Sequence, residues 1–211
     1  MPVKRLRLAK SRLDVAGRDQ LALAMALDTA EAILACRLTD RLVVVTDDER
    51  AGSHLAGLGA RVVADEPDAG LNPALRYGAA VAAGMGPATG TAAVSADLPA
   101  LRAAELELAL ESAAGSAYIV VADAAGDGTT LYAGTAGRAF EPRFGPGSLR
   151  DHVAAGAVVV DLPAVSGLRR DVDTTADLAA AVSLGVGPST RRFLARRRRP
   201  SDAARTRRRA G

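Results

Sequence analysis

A chain of 211 residues, 49% of them hydrophobic, is long enough to bury one full α/β core and too short for two comfortable ones. Its single cysteine, Cys36, excludes an internal disulfide. No uninterrupted apolar stretch is long enough to cross a bilayer and no signal peptide opens the chain, so a cytoplasmic protein without a membrane partner is expected. The net charge of +3 averages two unlike parts: residues 191–211 carry ten Arg against Asp202, or +9, and the other 190 carry 17 basic and 23 acidic groups, or −6. This predicts an acidic domain over 1–190 and a disordered Arg-rich tail over 191–211. With Phe193 as its one aromatic residue and no folded reading motif, the tail gives little ground for expecting a nucleic-acid partner.

Residues 1–13, MPVKRLRLAKSRL, do not form the apolar strand that normally opens a parallel sheet. Either that first strand is missing or residues 2–3 are its remnant. The segment does hold Lys4 and Lys10, the only lysines among 27 basic residues. Their confinement here suggests a site wanting a compact ammonium, with chance as the alternative. Residues 19–36 read as a helix with one wide apolar face, carrying Asp28 and Glu31 as its acids and Cys36 as a core residue. A strand at 41–46 ends on Asp47 and Asp48, a short helix at 51–58 closes on Gly59, and a strand at 60–64 ends on Asp65. Asn72 as cap with Pro73 in the first turn starts a helix running to 83. Residues 91–95 read as a buried strand that delivers Asp97 before Pro99, followed by a helix at 101–114 and a strand at 117–122.

Strict alternation of strand and helix to this point predicts right-handed crossovers and a mostly parallel twisted sheet with helices on both faces. After Asp123 the rhythm changes: a polar loop at 123–130, a short strand at 131–133, and a loop at 140–148 with two glycines and two prolines. A helix at 148–154, strands at 157–162 and 168–172, and a helix to 184 capped by Thr174 with Asp177 complete the domain.

Four predicted strands end in acids: Asp47, Asp65, Asp97 and Asp173. Strand ends on one edge of a parallel sheet can converge on one crevice. Carboxylates alone there suggest Mg2+, a hard cation that takes oxygen ligands and shares substrate phosphates. Asp97 and Asp173 are the foremost candidates, local caps explaining the other two equally well. The GPGS segment at 145–148 precedes a helix and offers backbone N–H groups and a hydroxyl to an anion, with Thr129 and Thr130 as further donors; a loop that merely turns is the bland alternative. His54 reads as a surface residue and His152 as a loop support.

These motifs together resemble the phosphoenolpyruvate / 2-phospho-L-lactate guanylyltransferase family of coenzyme F-420 biosynthesis, within the nucleotide-diphosphosugar-transferase-like (Rossmann-like) fold. The resemblance rests on PVKRLRLAKSRL from Pro2, DAGLNPAL from Asp68, SADLPAL from Ser95, GDGTTL from Gly126, FGPGSLRDH from Phe144 and LRRDVDTTADL from Leu168, six colinear motifs reaching to about residue 190. It implies a Mg2+-dependent transfer of GMP from GTP to a three-carbon phospho-acid with release of pyrophosphate. It also implies Thr130, Gly145 and Ser148 as acceptor ligands, Asp97 and Asp173 as metal ligands, and Lys4 and Lys10 on the triphosphate. Gly70, Leu71 and Asn72 would lie near the base or ribose. Phosphoenolpyruvate is preferred over 2-phospho-L-lactate on the Ala- and Arg-rich composition. The sequence departs from the family in lacking the apolar strand before PVK and in its arginine tail. Rival readings are a molybdenum-cofactor guanylyltransferase or sugar-phosphate cytidylyltransferase of the same fold, which a glycine-rich LxAGxGxRxG opening would have favoured, and a non-catalytic domain whose basic tail binds nucleic acid.

Overall fold

The computed structural model describes residues 1–8, 13, 15–112 and 115–198. Seven α-helices and six strands are assigned among them, and no helix is long and apolar enough to cross a membrane. The first half is built as predicted, from an 18-residue helix α1 (Arg18–Ala35), strand β1 (Val43–Val45), helix α2 (Glu49–Gly57), strand β2 (Arg61–Val63) and helix α3 (Leu71–Gly84). β1 and β2 pair in parallel. Residues 1–3 lie along the other side of β1: Val3 N–H donates to the Val45 carbonyl at 2.9 Å, and Val45 N–H to that of Met1 at 3.1 Å. Pro2 bridges Val45 in parallel, so residues 1–3 pair with β1 as a strand there would.

Both faces of this parallel set are covered, as the unbroken run of three valines requires. Val44 points into the main core with Ala22, Leu23 and Ala26 of α1 and Ala51 and Leu55 of α2. Val43 and Val45 point the other way onto α3, whose Gly78 lies so close that a Cβ there would stand 2.8 Å from the Val45 side chain. Asp48 caps α2, accepting from Ala51 N–H at 3.0 Å, and its second oxygen accepts from Leu6 N–H at 2.8 Å. One carboxylate thus ties the basic Leu6–Leu8 turn to the end of β1. Burial alone would raise the Asp48 carboxyl, but backbone N–H groups of Ala51, Leu6 and Arg50 together hold it below its ordinary value. Asp48→Ala is expected to destabilise the protein by about 1–2 kcal/mol in urea unfolding at neutral pH. Because the folded value is the lower one, that contribution is complete above the unfolded carboxylate range and vanishes as pH falls through the folded value.

The second sheet has the order β3 (Gly90–Val94), β5 (Thr129–Thr135), β4 (Tyr118–Ala122), β6 (Val158–Val159). β4 and β6 are parallel, whereas β5 is antiparallel to both of its neighbours. The reason is the connection: β4 and β5 are joined by a short polar loop, and parallel neighbours need a long crossover. One face of this sheet joins the main core through Ile119, Val121, Leu131 and Ala133, and the other packs Val120 and Tyr132 against Phe144 and Leu149. Helices α4 (Ala103–Glu111), α5 (Ser148–Ala154) and α6 (Thr175–Leu184) follow, α6 with the expected Thr174–Asp177 capping box.

Two segments differ from expectation. Residues 168–172 are not a strand: Gly167–Arg169 form a 3-10 turn. Gly167 lies against the Ala100 carbonyl with no room for a Cβ, and Leu168 and Val172 are both fully buried, in two different cores. Nor is the segment from 191 unordered throughout. Pro188–Arg198 form helix α7, which seats Phe193 and Leu194 on a core shared with Leu21 and Met25 of α1 and Leu178 and Ala181 of α6. Asp28, only 4% exposed, accepts from Ser189 N–H at 2.8 Å and Thr190 N–H at 2.9 Å. One of the acids of the predicted helix is thus a buried cap for another helix. Cys36 is buried and free, as expected.

Candidate active site

Past the end of β3 the chain runs Ser95-Ala96-Asp97. Ser95 N–H donates to the Thr130 carbonyl at 2.9 Å, and Val172 N–H donates to the Asp97 carbonyl at 3.1 Å. Two backbone bonds therefore bring three elements together, with half-buried Asp97 beside the segment carrying the exposed Asp173 and one step from Thr130. Arg169 braces the same corner, its guanidinium donating to the carbonyls of Ala122 at 3.3 Å, Asp123 at 3.0 Å and Leu162 at 3.4 Å. Among the described residues no group of three or more His, Cys, Asp or Glu could hold a metal ion. An Asp97–Asp173 pair is an all-oxygen donor set of the kind that Mg2+ completes with water and substrate phosphate.

Asp47 and Asp65, the other two strand-end acids, serve the loops. Asp47 faces Arg5 at 3.6 Å and accepts from Asp65 N–H at 3.0 Å. Lys4 is exposed directly after Val3, at the C-terminal ends of the parallel strands. Lys10 lies outside the described residues. A groove lined by Arg7, Leu13, Val15, Gly17, Arg18 and Asp19 opens beside the Leu6–Leu8 turn, which gives the basic segment a concave surface of mixed charge.

The β4–β5 loop is folded around one side chain. Asp123 accepts from the N–H groups of Gly126 at 2.7 Å, Asp127 at 3.1 Å and Gly128 at 2.9 Å. Gly128 is required there, since a Cβ would stand 2.4 Å from the Asp123 carboxylate. Asp127 in turn accepts from Gly147 N–H at 3.1 Å through its side chain and from Leu149 N–H at 3.0 Å through its carbonyl. Composition alone marks this loop as polar; the Asp-x-x-Gly-x-Gly spacing is the signal for a carboxylate-centred turn.

Thr130 and Ser148 are both buried. The Ser148 hydroxyl donates to Thr129 Oγ1 at 3.1 Å, and the same oxygen lies 3.1 Å from His152 Nδ1. His152 Nε2 accepts from Arg143 N–H at 2.9 Å, so that nitrogen carries no proton and the neutral ring is protonated on Nδ1, facing Thr129. Gly145 is exposed at φ 143°, with nothing within 4 Å of where a Cβ would be. Its carbonyl accepts from Ser148 N–H at 3.1 Å, so it forms an open floor beside Ser148. Leu71 and Asn72 are half-buried in the first turn of α3, capped by Gly70 at φ 101° instead of by Asn72. The Asn72 amide spans to the acceptor-loop candidate, Nδ2 donating to the Phe144 carbonyl at 3.0 Å and Oδ1 accepting from Phe144 N–H at 2.8 Å.

His152 is the loop support expected, and burial lowers its pKa from the ordinary value against the opposing effect of Ser148. Its neutral form therefore stabilises the fold. That contribution is complete above the ordinary imidazole pKa of about 6.5 and is lost as pH falls through it toward the lower folded value. Between about pH 7.5 and about pH 5.5 the wild type should lose more stability in denaturant titrations than His152→Gln. Equal losses would remove His152 as the cause.

A family model described as "Guanylyl transferase CofC like" matches residues 1–209. The chain belongs to this family. A protein named phosphoenolpyruvate guanylyltransferase from Thermomonospora curvata is 54% identical over 199 residues, covering 93% of this chain and 87% of its own. Another of that name from Streptomyces coelicolor is 51% identical over 200 residues, covering 93% and 94%. Among solved structures, a nucleotide-diphospho-sugar transferase from Desulfovibrio desulfuricans aligns with a TM-score of 0.57 at 16% identity, over 87% of this chain and 94% of that one. A nucleotidyl transferase from Methanothermobacter gives 0.53 at 22% identity, over 76% and 80%. At these identities the structures establish the fold alone, which is the one the CofC-like guanylyl transferase motifs imply.

Proposed function

We propose that the protein is a phosphoenolpyruvate guanylyltransferase of coenzyme F-420 biosynthesis, transferring GMP from GTP to the phosphate of phosphoenolpyruvate, or of 2-phospho-L-lactate, with release of pyrophosphate. The observation that carries this reading is the pair of backbone bonds that set Asp97 and the Asp173 segment beside Thr130, in a chain half identical to relatives bearing that name. Thr130, Gly145 and Ser148 hold the acceptor, which enters over the exposed Gly145 backbone. Lys4 and Lys10 hold the triphosphate, and Gly70 and Leu71 lie on the nucleotide side. Asp97 and Asp173 would hold Mg2+, which when bound neutralises charge on the α-phosphate and the departing pyrophosphate.

The nucleophile is already a phosphate oxyanion, so no strong general base is needed. The chain's task is to bring two anions together in line and to screen their repulsion. This accounts for a site whose buried histidine serves the scaffold. The substrates are cytoplasmic metabolites, and we place the protein there. Incubation with GTP, Mg2+ and each acceptor, coupled to pyrophosphate detection, tests the reading. Pyrophosphate should appear with phosphoenolpyruvate first; none with any three-carbon phospho-acid overturns the proposal.

A further inference from the structure

We propose that Asn72 is a positioning residue for the acceptor loop, a side chain of the nucleotide-side helix α3 that sets where Gly145 and Ser148 stand relative to the nucleotide. The inference rests on the reading above for what the loop binds, and on geometry for how the loop is held. Asn72 is the second residue of α3 and Gly70 its N-cap, so the amide stands inside the helix and does not cap it. The amide is turned outward instead. It makes a two-way bond with Phe144, donating to its carbonyl at 3.0 Å and accepting its N–H at 2.8 Å, across 72 positions of sequence. A carboxamide meets both backbone groups of one residue in this manner as one strand meets another, so it fixes the place and the tilt of the two peptide units that flank Phe144.

Phe144 directly precedes Gly145, so the peptide whose carbonyl accepts from Asn72 is the one that leads into the acceptor floor. The neighbouring amide, Arg143 N–H, is held from the other side by His152 of α5 at 2.9 Å. One turn along α3 on the same face, Arg76 reaches Glu141 at 3.8 Å, an exposed pair that adds little by itself. The loop is thus suspended between α5 and α3. The α5 attachment moves with the Ser148 hydroxyl, since Ser148 opens that helix. The α3 attachment ties the loop to Gly70 and Leu71. Asn72 is therefore the link that fixes one substrate's floor to the other substrate's helix, and a displacement of about 1 Å at such a link costs catalysis far more than stability.

Steady-state kinetics of the full chain, with GTP and phosphoenolpyruvate varied separately, test this on Asn72→Ala and Asn72→Asp. For Asn72→Ala we expect the acceptor KM to rise about tenfold or more and the GTP KM to stay within about twofold. Asn72→Asp keeps an acceptor for Phe144 N–H but loses the donor to its carbonyl, so it should fall between the wild type and Asn72→Ala. Amide hydrogen exchange of residues 143–148 should accelerate in Asn72→Ala while that of β4 and β5 does not. A raised GTP KM with an unchanged acceptor KM would put Asn72 on the nucleotide and overturn the proposal, as would unaltered loop exchange or equal losses against both substrates. A wild type that releases no pyrophosphate fails the functional reading instead, and loop exchange then decides whether Asn72 holds the loop.

Discussion

Asp97→Asn is expected to lower Mg2+-dependent pyrophosphate release by about a thousandfold while leaving the fold intact. The substitution keeps the shape of the side chain and removes one negative charge. Two backbone bonds hold the chain on either side of the carboxylate: the Asp97 carbonyl accepts from Val172 N–H at 3.1 Å, and Leu98 N–H donates to Thr29 Oγ1 at 3.1 Å. Both bonds survive the change. A carboxamide is a far poorer ligand for a hard cation than a carboxylate, and two carboxylates are all that this corner supplies from its proposed donor set. Activity should fall with the melting temperature nearly unchanged, and excess Mg2+ should restore part of it. A variant that turns over at the normal rate would remove Asp97 from the metal site.

The largest effect on stability should come from Asp28→Ala. The buried carboxylate caps α7 from α1, receiving the N–H groups of Ser189 and Thr190. Its loss leaves the buried Thr190 N–H and the half-buried Ser189 N–H unpaired at the positive end of a helix. Bonds to a charged group contribute about 1.5–3 kcal/mol each, so a loss of about 3 kcal/mol is expected, equivalent to about 6–12 °C in Tm for a chain of this size. Asp28→Asn retains one acceptor and should cost about half as much. Gly187 packs against this carboxylate so closely that a Cβ would stand 2.4 Å from it, which leaves no room for a longer side chain nearby. Exchange of α7 amides should rise before that of the β4–β5 pair. Stability close to wild type for Asp28→Ala would mean that α7 is held without this cap, through Phe193, Leu194 and its other bonds.

The contrast between these residues explains what a single chain of letters reveals. Strands such as Val43–Val45 and Tyr118–Ala122 are legible because burial on both faces leaves an unbroken apolar run, and α6 is legible because Thr174 and Asp177 stand at capping-box spacing. These are local signals. Asp28 is not legible, because its partner is 161 positions away and sits at the head of a helix whose arginines disguise the paired Phe193 and Leu194. Asn72 misleads for a related reason. Asn followed by Pro is a helix-start signal, and here the start is real while the side chain serves Phe144. Residues 168–172 read as a strand because Leu168 and Val172 flank polar residues, but the two side chains enter separate cores. Of the candidate site, the acids, the Thr pair and the GPGS loop are visible as composition and spacing. The carboxylate turn at Asp123 and the His152 bridge depend on backbone groups that carry no letter of their own.

The antiparallel placement of β5 has one more consequence. Since β3 and β5 run in opposite senses, the exit of one lies beside the entrance of the other, and Val94 opposite Leu131 puts Ser95 against Thr130. A slip of one residue between these strands would reverse which side chains face each layer and carry Thr130 away from Asp97. The proposed metal acid and the proposed acceptor hydroxyl would then part together. A misaligned molecule would be silent rather than sluggish, and the specific activity of a preparation becomes a census of molecules in which these two strands found the right alignment.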